Sequence, residues 1–64
     1  MISMNIHNVR EIKVRDRYFV NKENPFVTRQ LTVIDSSGKE YEITFFGEIF
    51  DDIQFGKFET EVHD

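Results

Sequence analysis

Three basic residues at alternate positions, Lys13, Arg15 and Arg17, lead into an aromatic one, Phe19. Alternate side chains of an extended segment leave it on one side, so this stripe is suited to a run of phosphates. Rings beside such a track could stack on flat π-faces, which is worth about 1–3 kcal/mol per nucleic-acid base. Phe26, after Pro25, and Phe46, before Gly47, are the other rings placed for that work. Arg29 is a fourth candidate cation, although its parity is that of the apolar residues around it. It reaches the phosphate side only from a sheet edge or a bulge.

Other chemistries find less material. His7 and His63 are the only histidines, and they stand near opposite ends with no metal-ligand spacing. Ser36 and Ser37 belong to a turn, and Ser3 has no nucleophile context. There is no phosphate-cradling glycine loop. Cysteine is absent, which excludes disulfides, thiolate metal sites and cysteine nucleophiles, and fits a reducing, cytoplasmic setting. An enzyme, a metal site and a cofactor are therefore not expected.

The elements that must position these residues follow from a period of two. In "EIKVRDRYFV", Ile12, Val14, Tyr18 and Val20 share one parity and the basic stripe the other. Asp16 interrupts the apolar row, where a bulge or strong bend is expected. "NKENPF" reads as a loop, because Pro25 lacks an N–H and turns Asn24 away from helix. A second strand spans Phe26 to Ile34, with Val27, Leu31 and Val33 inward. "DSSG" then supplies a hairpin turn, its glycine tolerating positive φ. Tyr41, Ile43 and Phe45 face inward on a third strand, leaving Glu40, Glu42, Thr44 and Phe46 outside. Those two glutamates offer a plain structural use for the basic stripe, cross-strand charge pairing. Phe46 has its own plain use, burial under a later segment. Ile49, Phe50 and Ile53 have helical spacing for barely two turns. Residues 57–64 alternate Phe58, Thr60 and Val62 with Glu59 and Glu61, which suggests a short fourth strand or a frayed acidic tail.

With the hairpin in place, "TRQLTVIDSSGKEYEITFFGE" resembles the second-to-third-strand hairpin of OB-fold single-stranded DNA-binding domains of the replication protein A type. Arg29, Leu31, Val33, Asp35, Ser37, Gly38, Ile43, Phe46, Gly47 and Glu48 occupy matching places. The resemblance implies that Phe46 stands where the family has a base-stacking aromatic, usually tryptophan. It also implies a replication-type function on single-stranded DNA or RNA. An OB barrel has five strands, whereas the residues after Glu48 offer one short helix and one strand. The expected fold is thus mainly β, a small antiparallel meander forming a reduced OB-like barrel with a short helical turn after the third strand. A homodimer is expected to cover the open edges. Such economy is similar to that of small phage or plasmid replication proteins.

Size and charge bound these readings. The 64 residues make one domain, and a domain so small buries only about 60% of its unfolded surface. Residues 1–30 carry six basic against three acidic side chains, and residues 31–64 carry two against nine. The halves therefore bear +3 and −7, for a net −4. An acidic protein-binding inhibitor or DNA mimic from a mobile element is the alternative function, with a basic protein partner meeting the acidic C-terminal segment. No apolar run approaches the ~20 residues of a membrane span, no secretory leader is read, and no membrane partner is expected.

Overall fold

The computed structural model of the chain describes residues 1–20 and 23–63. The alternating segments form three antiparallel strands, β1 (Val9–Phe19), β2 (Phe26–Asp35) and β3 (Glu40–Gly47), adjacent in the order β1-β2-β3. The loop before Pro25 includes Asn21 and Lys22, which lie outside the described residues, as does Asp64 at the far end.

The second hairpin is built around one carboxylate. Asp35 Oδ1 accepts the backbone N–H of Ser37 at 2.9 Å, the Ser37 hydroxyl at 2.6 Å and the backbone N–H of Lys39 at 3.0 Å. Its Oδ2 accepts the Tyr41 hydroxyl at 3.2 Å. Gly38 closes the turn at φ 90°, a conformation that disfavours any residue with a Cβ, and donates its N–H to the Asp35 carbonyl at 3.0 Å. The bonds to the carboxylate, the Ser37 hydroxyl first, hold the Asp35 carboxyl below its ordinary value against an opposing desolvation.

Register then sorts every side chain. On one face the cross-strand rows are Ile12–Val33–Tyr41, Val14–Leu31–Ile43, Asp16–Arg29–Phe45 and Tyr18–Val27–Gly47. On the other they are Glu11–Ile34–Glu40, Lys13–Thr32–Glu42, Arg15–Gln30–Thr44, Arg17–Thr28–Phe46 and the pair Phe19–Phe26. The expected bulge at Asp16 is absent. Asp16 is met squarely by Arg29, so the ladder has no reason to break there, and the irregularity falls instead between Val9 and Glu11.

Burial is confined to the central strand. Val27, Val33 and Ile34 are the buried apolar residues among those described, joined by Thr28. Ile12, Val14, Tyr18 and Phe45 remain exposed although they lie on the apolar face. After β3 a 3₁₀ turn (Phe50–Ile53) folds back onto β2 and β3. It comes so close that a Cβ on Gly47 would sit 3.0 Å from Ile53 Cγ2 and 3.3 Å from the Ile49 carbonyl oxygen.

The meander and the turn after the third strand are as expected, but the sheet is open and does not close into a reduced barrel. Three strands leave both β1 and β3 as edges, and residues 57–63 form no strand that could bridge them. No helix among the described residues is long and apolar enough to cross a membrane.

Candidate nucleic-acid interface

The polar face carries the stripe. Because β1 is regular from Glu11 to Phe19, Lys13, Arg15, Arg17 and Phe19 project from it in sequence, at about 6.7 Å per pair of residues. Hairpin pairing then sets Phe26 directly opposite Phe19. The two rings stack with centroids 4.7 Å apart and planes 16° apart. Phe46, opposite Thr28 on the neighbouring β3, sits diagonally from Phe26, its centroid 6.1 Å away and its plane tilted by 35°. Three rings proposed separately thus form one row across all three strands, at the end of the cationic stripe. Phe19 and Phe26 are half-buried against each other, while Phe46 is 70% exposed and no later segment among the described residues covers it. The buried Thr28 lies between Arg17 and Phe46 and joins the cations to the rings.

The competing carboxylates keep their distance. Glu40 and Glu42 do occupy the same face, yet β2 lies between them and the stripe, two strand spacings or about 10 Å in all. A shallow groove of about 250 Å³, lined by Lys13, Arg15, Gln30, Thr32, Glu40 and Glu42, runs between the two edges. Lys13 has a loose contact with Glu11 at 3.8 Å, both side chains exposed. Among the described residues Arg15 and Arg17 form no ion pair.

Arg29 does not join the stripe. Its side chain lies on the apolar face, where Nε donates to Asp16 Oδ1 at 2.7 Å and Nη2 to Asp16 Oδ2 at 2.9 Å. Nη1 donates to the Ile53 carbonyl at 3.0 Å. The Phe50 and Phe55 rings take the guanidinium at 5.4 and 5.5 Å from their centroids, within cation–π range. The Arg29 hydrogen bonds hold the Asp16 carboxyl below its ordinary value, and the same pairing raises Arg29 further. This pair anchors the 3₁₀ turn to the sheet, with Phe50 meeting Tyr18 edge-on at 5.1 Å. Neither strand's sequence alone pairs Asp16 with Arg29. The signal was available: both have inward parity, and a loop that sets Phe19 against Phe26 also sets Asp16 against Arg29.

Among the described residues no three His, Asp or Glu side chains converge as a metal site, and His63 contacts only the exposed Glu61, at 3.0 Å. Compared with known proteins, the chain matches no family model, no curated protein and no solved structure.

Proposed function

We propose that this open β-meander binds single-stranded nucleic acid, DNA foremost, without strong sequence preference. Lys13, Arg15 and Arg17 contact phosphates, and Phe46, backed by Phe26 and Phe19, offers the stacking surface. The observation that carries this reading is the continuous ring row Phe19–Phe26–Phe46 on the same face as the cations. A cationic track beside sequence-tolerant π-faces is the combination such binding needs. Overall acidity is not prohibitive, because Glu11 meets only Lys13, at the far end of the track from the rings, and Glu40 and Glu42, about 10 Å away, lie beyond the ~8 Å screening length at physiological salt.

The test is a titration of fluorescent oligothymidylate with the full chain and with the Arg15→Ala/Arg17→Ala pair. The full chain should bind, and the double variant should bind more weakly and with a shallower salt dependence. Equal binding by both would remove the stripe from the interface. No binding by either, together with capture of a basic protein, would favour the acidic inhibitor.

A further inference from the structure

The segment Lys57–His63 has no regular secondary structure, is exposed and pairs with no strand, with Phe58 and Val62 85% and 92% exposed. Its pattern is that of a strand with one apolar and one acidic side. At the other margin of the sheet, β1 has a free edge with the matching pattern, apolar Ile12, Val14 and Tyr18 on one side and Lys13, Arg15 and Arg17 on the other. Cations along an edge strand deter pairing with another such strand. An alternating acidic strand is the kind that fits.

We infer that Lys57–His63 of one copy adds as a fourth strand to the β1 edge of a second copy, reciprocally, giving a two-fold strand-exchanged dimer. The antiparallel register with Phe58 opposite Tyr18 meets both requirements at once. It sets Glu59 beside Arg17, Glu61 beside Arg15 and Val62 beside Val14, with Thr60 beside Asp16 and His63 beside Lys13, so that no two carboxylates are opposed. Main-chain bonds along the edge supply affinity, and the alternating side chains supply the register.

In a single copy the segment stands off its own sheet. The radius of gyration is 14.9 Å, whereas a compact domain of this length has about 11 Å. A single copy buries only three apolar side chains among the described residues, so it has surface to spend on a partner. The inference does not depend on nucleic-acid binding and competes with it: the exchanged strand sets Glu59 and Glu61 beside Arg17 and Arg15, so a phosphate chain takes those arginines only when the strand leaves the edge.

Size-exclusion chromatography with light scattering, without nucleic acid and over a wide concentration range, tests the inference. The full chain should show twice the monomer mass. Glu59→Lys with Glu61→Lys, which touches no buried residue, should return the monomer mass. Adding Arg15→Glu and Arg17→Glu to that variant should restore the dimer. A full chain that stays monomeric overturns the exchange, including the case in which the segment folds onto its own β1. A dimer that survives the double charge reversal also overturns it.

Discussion

Phe46 and Asp16 show how little a residue's type says without its surroundings. Phe46 is apolar, yet parity turns it outward, and among the described residues Phe26 is the one ring beside it. Phe46→Ala should therefore weaken binding of single-stranded DNA by about 1–3 kcal/mol, roughly 5- to 150-fold. Thermal unfolding followed by circular dichroism should be unchanged. A large loss of melting temperature would make Phe46 part of the fold and not a platform. Asp16 is charged, yet it lies on the apolar face because Arg29 meets it with a bidentate fork. Its folded pKa is depressed, so its contribution is present above the ordinary aspartate value of about 3.9 and is lost as pH falls through the lower folded value. Asp35 has the same sign. Melting curves of the wild type and Asp16→Asn should converge as pH drops through that acid window. A gap that persists in acid would show that Asp16 acts by packing and not by charge.

At the scale of elements, the two hairpins were legible because a one-residue slip would exchange the apolar and polar faces of each strand. The turn was legible for a local reason, Asp35 bonding to residues two and four positions on and Gly38 taking a positive φ. Gly38→Ala should accordingly cost about 1–2 kcal/mol, read by denaturant unfolding, since a Cβ meets no neighbour there and only the backbone objects. A neutral outcome would mean that the turn can change type. The Asp16–Arg29 pair was not legible from either strand alone, because it is a property of their register. Nor was the fate of the last segment. Its alternation suits a strand, but a strand needs an edge to pair with, and the free β1 edge is defined only once the order β1-β2-β3 is known. The same limit hid the open sheet, since closure depends on strands finding both edges.

The whole molecule is a thin sheet with a sparse core and separated charge. Val27→Ala removes two methyl groups from its most buried side chain, a loss of about 2 kcal/mol from a total that for 64 residues is about 3–10 kcal/mol. Chemical denaturation should show that drop, and a change within error would place the stability outside the central strand. Charge is divided between margins, with Lys13, Arg15 and Arg17 on β1 and Glu40 and Glu42 on β3. Only the first margin faces phosphates in the proposed complex, so three cations set the salt response. With about 0.7 counterions released per phosphate on a single strand, the slope of log K against log salt should be about −2.

That slope is the most direct test of the central claim. Fluorescence anisotropy of a labelled single-stranded DNA, titrated with the full chain from low to physiological salt and repeated with duplex, measures it. Binding to the single strand with a slope near −2, stronger than to duplex and still present at physiological salt, is the predicted result. No binding at the lowest salt, or equal binding to duplex, would contradict it.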